Sequence, residues 1–165
     1  MATTCKLIAK SVLGSDTASV TLGSIPTTFD DLLVLVSARS ATSGTAHYLN
    51  TQFNSGNVSV RYLYAYNTTK GSNSTGSLDP EIPGSTSTAN TFGSIEIYIP
   101  NYAVSQYKSC SVSNHKVDAS AANLSIEVFA GLRSTTSAIT EISFSVNGGV
   151  IAAGSSFYLF GITKA

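Results

Sequence analysis

Two histidines, two cysteines and nine acidic side chains are the groups in this 165-residue sequence that could hold a metal or move a proton. A metal site built from local spacing needs a C-x-x-C, H-x-H or H-E-x-x-H run, and none occurs around Cys5, His47, Cys110 or His115. No Asp-rich loop with calcium spacing is present either. Asp30-Asp31 is the one adjacent acidic pair. Neighbours in a strand point to opposite faces, so the pair cannot readily chelate together and reads as a solvated turn. Nucleophilic catalysis needs a Ser or Cys with a base in reach. Serine is abundant, but none stands in a G-x-S-x-G elbow. Cys110 and His115 are separated by an odd step along one expected strand, which puts their side chains on opposite faces. Each histidine is expected as a surface or hydrogen-bonded residue.

Paired carboxylates are the remaining route to catalysis. Glu96, Glu127 and Glu141 each fall in an expected strand, and glycoside hydrolysis needs two carboxyl groups about 5–9 Å apart across a groove. Such grooves generally also carry stacking platforms, and this sequence has no Trp. A lone Glu on the solvent face of a strand, discouraging edge pairing, is the plainer expectation for each. The chain is therefore expected to be no enzyme, with no catalytic residue, metal or cofactor.

Binding without catalysis has more to work with. Tyr48, Tyr62, Tyr64, Tyr66, Tyr98, Tyr102 and Tyr107 each combine an apolar face with a hydroxyl, which suits carbohydrate and protein contacts alike. Tyr62, Tyr64 and Tyr66 recur at period two and are expected to line one face of a sheet, as core or subunit interface. Four N-x-[S/T] sequons begin at Asn57, Asn67, Asn73 and Asn123, a number that chance explains in a chain so rich in Ser and Thr.

The elements that must position these groups follow from the patterning. Apolar residues alternate in short runs broken by Gly, Ser, Thr, Asn and Pro, the pattern of strands joined by turns. Strands are expected at 6–12, 18–22, 32–38, 48–53, 58–66, 92–99, 107–117, 124–132, 139–146 and 156–162. The run from Leu32 to Ala38 is apolar on both faces, as for a central strand covered on both sides. Asn147-Gly148-Gly149 supplies residues that tolerate positive φ in a tight turn. A short helical turn at 40–46 or 118–123 is the most helix the sequence allows. The stretch from Asn67 to Asn90 has few bulky apolar residues, Leu78 and Ile82 among them, and reads as a long loop of functional or mobile character. About eight to ten strands at this spacing predict a single all-β domain over 1–165, an antiparallel two-sheet β-sandwich of jelly-roll type.

Composition narrows the partners. Charged residues make up 11% of the chain against a usual share of about 25%, with Ser and Thr in their place. Nine basic residues balance nine acidic ones and lie scattered, so the clustered cations that nucleic acid demands are missing. No apolar run approaches the ~18 residues of a membrane span, and no apolar leader follows the Met, so neither membrane nor export is expected. A neutral, hydroxyl-rich surface costs little to desolvate against a neighbour, which favours an assembly component or a binder of neutral ligands. Cys5 and Cys110 are enough for one disulfide, or else stay as two thiols.

Three stretches together carry a family likeness. The first is Ser19-Val-Thr-Leu-Gly-Ser-Ile-Pro26 with Phe29 to Arg39. The second is Ala89-Asn-Thr-Phe92 with Ile95-Glu-Ile-Tyr-Ile-Pro-Asn-Tyr102 and Tyr107-Lys-Ser109. The third is Ala130-Gly-Leu132 with Ser137-Ala-Ile-Thr140 and the closing Ala153-Gly-Ser-Ser-Phe-Tyr-Leu-Phe-Gly-Ile162. The combination resembles small virion proteins of tailed bacteriophages, which include capsid cement (decoration) proteins and parts of tail fibres. The resemblance implies a jelly-roll homotrimer made in the host bacterial cytoplasm and seated on the capsid surface, with the major capsid protein as partner. Its alternative is a tail-fibre module that recognises host surface polysaccharide. Contact residues are expected at Lys6 in the N-terminal segment, at Leu78 and Ile82 in the long loop, and at Tyr62, Tyr64 and Tyr66 for trimer packing.

Overall fold

A computed structural model describes residues 4–66, 69–75, 77–117 and 124–164. The described residues form twelve strands: β1 (Cys5–Val12), β2 (Ser19–Leu22), β3 (Asp31–Ala38), β4 (Ala46–Phe53), β5 (Ser59–Tyr66), β6 (Thr69–Thr75), β7 (Glu81–Pro83), β8 (Gly93–Ile99), β9 (Lys108–Val117), β10 (Leu124–Arg133), β11 (Ile142–Val146) and β12 (Ser156–Ile162). They build an eight-stranded sheet in the order β1-β12-β3-β8-β9-β10-β5-β6 and a four-stranded sheet in the order β2-β11-β4-β7, with every ladder antiparallel. The expected β-sandwich is therefore present.

Alternation explains why these segments become strands and which way they face. In β3, Leu32, Val34 and Val36 are buried while Leu35 and Ser37 are exposed; in β8, Ile95, Ile97 and Ile99 are buried while Ser94 and Glu96 are exposed. In β11, Ile142, Phe144 and Val146 face in from the smaller sheet. The Phe144 and Phe157 rings meet between the sheets with centroids 5.0 Å apart and planes tilted by 40°. Fully burying one such side chain contributes roughly 1.5–3 kcal/mol, so this shared core is the main source of cohesion. Phe29 packs on Gly161, where a Cβ would lie 2.4 Å from its ring and could not be accommodated. The turn after β11 uses Gly148 at φ +66°, as its Asn-Gly-Gly sequence leads one to expect.

Two expectations need correction. The stretch from Asn67 to Asn90 is not one loop: β6 pairs with β5, and β7 pairs with β4 as the last strand of the small sheet. Its two bulky apolar residues, Leu78 and Ile82, are fully buried, and they clamp this stretch to the sandwich. The outer face of β3 is not covered within the chain, since Leu35 is 37% exposed. No helical turn forms at 40–46, while 118–123 lies outside the described residues.

The two sheets differ in width by a factor of two, and this decides the rest of the architecture. Strands β1, β12, β3 and β8 find the small sheet opposite them. The inner face of β9 and β10 meets β7 and the chain leading into it, as the bonds from Asn114 and Glu127 to Glu81 show.

Candidate functional site

The groups with chemical potential are dispersed. Cys110 is buried on β9 and Cys5 is exposed on β1; both are free thiols, which settles the sequence alternatives against a bridge. Burial pushes the Cys110 thiol up to about 12, although a hydrogen bond with the Gly131 backbone works the other way. His115 is exposed on the opposite face of β9, as the odd spacing requires. His47 sits on β4, its Nε2 hydrogen bonded to the Ser43 carbonyl at 3.1 Å. Glu96 is exposed on the outer face of the large sheet, Glu127 is buried on its inner face, and Glu141 lies beside the Asn54–Ser55 turn. These carboxylates do not share a groove. Among the described residues, no three His, Cys, Asp or Glu side chains gather as metal ligands.

Two acidic residues expected in solvent are instead structural. Glu127 Oε2 accepts from the Glu81 amide at 3.0 Å and from Asn114 Nδ2 at 2.6 Å. Asn114 Nδ2 also reaches the Glu81 carbonyl at 3.0 Å, and the nearly buried Lys116 ammonium pairs with Glu81 Oε2 at 2.7 Å. Desolvation raises the Glu127 pKa against the pull of those hydrogen bonds. This polar web fastens β7 to the wide half of the large sheet. Asp31 is the second case. It accepts from the Tyr98 hydroxyl at 2.6 Å and the Asn101 amide at 3.0 Å, and pairs with Lys164 at 2.9 Å. Burial alone would raise its pKa, but these three donors together hold it below the usual carboxylate value.

Two cations act in the same structural way. Arg39 is nearly buried, and its guanidinium donates to the carbonyls of Ser85, Ser87, Thr88 and Thr91. Five donors in a rigid fork suit this task, and they fix the whole 85–91 loop against β3. Lys108 is buried under the turn that follows β8, and its ammonium donates to the carbonyls of Val104, Gln106 and Thr136.

The surface with most to offer is the outer face of the large sheet. On the four central strands β3, β8, β9 and β10, the exposed described positions carry Leu, Ser, His, Val, Ile and Ala, and only one charged side chain, Glu96. In β10 the usual polarity is inverted: Ile126, Val128 and Leu132 are about half exposed, while Ser125 and Glu127 are buried. A second apolar patch lies across β3 and β12, where Leu33 pairs with Phe160 and Leu35 with Tyr158. The serines of β9, Ser109, Ser111 and Ser113, run between the two patches.

The residues expected at contacts are placed as follows. Lys6 is exposed on β1, an edge strand of the large sheet. Leu78 and Ile82 are core residues and offer no surface, because they are spent on holding their own segment down. The backbone of Tyr62, Tyr64 and Tyr66 lies in β5, paired with Phe129, Glu127 and Ser125 of β10; their side chains lie outside the described residues. Tyr102 is fully buried, its hydroxyl donating to the Pro26 carbonyl, whereas Tyr48 and Tyr107 are more than half exposed. The inverted polarity of β10 was the readable signal for the outer patch, since Ile126 and Val128 alternate with Ser125 and Glu127 in plain sight.

No protein-family model, no curated protein and no solved structure matches this chain.

Proposed function

We propose that this protein is a non-catalytic structural component of a bacteriophage virion, a homotrimeric cement protein on the capsid surface that binds the major capsid protein and reinforces the shell. The observation that carries the reading is the outer face of β3, β8, β9 and β10, a broad sheet surface with a single charged side chain and two apolar patches. Interface cores are depleted in charge and enriched in apolar groups, and lasting homomeric interfaces most of all. Exposed apolar area of this kind on one sheet marks a contact surface.

The two patches favour copies of the same chain as what covers them. A closed ring joins unlike surfaces of successive protomers. In such a trimer the Ile126, Val128 and Leu132 patch of one copy meets the Leu33, Leu35, Tyr158 and Phe160 patch of the next. Strand β5 is the next strand beyond the first patch; its Tyr62, Tyr64 and Tyr66 positions pair with the inward-facing Phe129, Glu127 and Ser125, so they stand on the other face from the seam. The edge strand β1 with Lys6 is left for the shell. Three attachment points on one clamp make every contact after the first intramolecular, which is how a small protein holds a pressurised shell.

The strand order supports reading the sandwich as a jelly roll. The series β1-β12-β3-β8 faces β2-β11-β4-β7, so the chain's first strands pair with its last, and β5-β6 and β9-β10 widen one sheet as inserted hairpins. The resemblance of the three quoted stretches to phage virion proteins supplies the setting.

The test is co-sedimentation of the purified chain with capsids stripped of their decoration, alongside its mass in solution by light scattering. A trimer that pellets with capsids at a fixed stoichiometry and raises their disruption temperature is the expected result. A strict monomer that stays in the supernatant overturns the proposal.

A further inference from the structure

A second feature, on the outer face of the small sheet, is unrelated to the apolar patches. Among the described residues, Tyr48, Asn50, Ser77, Asp79, Ser145 and Asn147 line a depression of about 340 Å³. That is within the range of small-molecule sites, which start at about 300 Å³. Tyr48 and Asn50 point outward on β4, alternating with the buried Leu49 and Thr51. Ser145 stands across from Asn50 in the β4–β11 ladder, and Asn147 lies in the turn just beyond. Ser77 and Asp79 come from the chain that Leu78 pins against Thr51.

The polar groups here are held in place before any ligand arrives. Asp79 Oδ1 accepts from Asn50 Nδ2 at 2.8 Å, and Oδ2 accepts from the Ser77 hydroxyl. An ionised carboxylate has about four lone-pair sites, so each oxygen still has one to offer. The lining thus presents a fixed acceptor, amide groups that both donate and accept, hydroxyls, and a tyrosine 54% exposed at the rim. Asp79 is the one charged side chain among its described lining residues.

We infer that this depression is a binding site for a single neutral sugar ring. Vicinal hydroxyls of the ring donate to the Asp79 carboxylate and accept from the Asn50 and Asn147 amides, while the apolar C–H face of the sugar lies on Tyr48. Among the described residues the lining carries one negative charge and no cation, which disfavours phosphorylated, sulfated and uronic sugars. A shallow site of this size holds a monosaccharide with a Kd on the order of 1 mM. Several copies held together by any scaffold would turn that into firm adhesion to a polymer. The inference stands apart from the capsid reading and survives if that reading fails.

The test uses the purified full chain and ligand-observed NMR against glucose, galactose, mannose, N-acetylglucosamine and their methyl glycosides, with glucuronate and glucose 6-phosphate as anionic counterparts. At least one neutral sugar is expected to bind, with Tyr48→Ala and Asp79→Asn each weakening it tenfold or more. Tyr48→Ala is the decisive variant, because the side chain is 54% exposed, and a thermal melt of the variant is run alongside to show that it folds. No binding by any neutral member, equal binding by the Tyr48→Ala chain, or tighter binding of an anionic sugar overturns the inference.

Discussion

Gly131 lies directly across from Cys110 in the β9–β10 ladder, and a Cβ at position 131 would come within 2.5 Å of the Cys110 sulfur and 2.9 Å of Val58 Cγ1. The glycine is therefore there for space. Gly131→Ala is expected to destabilise the fold by about 1–3 kcal/mol, the usual cost of overpacking. The same change made together with Cys110→Ala is expected to cost less, because the nearest clash is gone. Urea melts of the two single variants and the double variant measure the coupling.

The contrast between the two thiols can be counted. Burial holds the Cys110 thiol at about 12 and shields it from reagents, whereas Cys5 is exposed. Thiolate is the reactive form. Ellman's reagent at pH 8 is expected to titrate one thiol per native chain and two in denaturant. Two fast thiols in the native protein contradict the buried position.

Glu127 gives stability a pH dependence. Its folded pKa is raised above the ordinary 4.5, so the folded state binds this proton more tightly than the unfolded state does. Its contribution is therefore most favourable below the unfolded value and is lost as pH climbs through the folded one. Glu127→Gln keeps an acceptor for the Glu81 amide and removes the buried charge. It is expected to raise neutral-pH stability, with the advantage fading as pH falls into the ordinary carboxylate range. Denaturant midpoints across pH 3–8 check this.

Arg39 holds the 85–91 loop by its guanidinium fork, beside the bonds that Ser85, Thr86 and Ser87 make to the 42–45 segment. Lysine carries the charge without the fork and cannot reach four carbonyls at once. Arg39→Lys is expected to cost about 1–3 kcal/mol, since the buried Ser87 carbonyl and its part-buried neighbours lose a charged donor. Amide exchange is expected to quicken across 85–91 and to stay unchanged in β9 and β10.

Val128 tests the sheet face. At 51% exposure its replacement by Glu leaves the core untouched, so the change in folding stability is expected within about 0.5 kcal/mol. Trimer formation is expected to fail, because a charge would be buried without a partner at the seam. Light scattering with a thermal melt separates the two effects.

Much of this fold was legible because it obeys one rule. Where the small sheet lies opposite, as over β3, β8, β11 and β12, apolar residues point in, and strict alternation located those strands to within a few residues. The rule fails where the large sheet outruns the small one. There Ser125 and Glu127 face in toward a polar web and Ile126 and Val128 face out, so an acidic residue that reads as solvent-exposed is buried. Strand β6, Thr69–Thr75, contains no apolar side chain larger than a methyl group and gives no periodicity to detect. Strand β7 is three residues long, too short to read. Asp31 was misjudged for another reason: its partners Tyr98, Asn101 and Lys164 are remote in sequence, and only the strand order brings them together. The sugar depression was hidden likewise, since Tyr48, Asp79 and Asn147 come from three separate segments.

The ladder between β1 and β12 has a mechanical consequence. Cys5 pairs with Ile162 at one end of it and Val12 with Ser156 at the other, so both outer ends of this ladder lie side by side. Tension applied between residues 5 and 162 opens the ladder like a zip, breaking a few hydrogen bonds at a time. A push or pull spread over the flat of the large sheet must instead displace many bonds at once. The molecule is weak when tugged between residues 5 and 162 and stiff when loaded across its breadth.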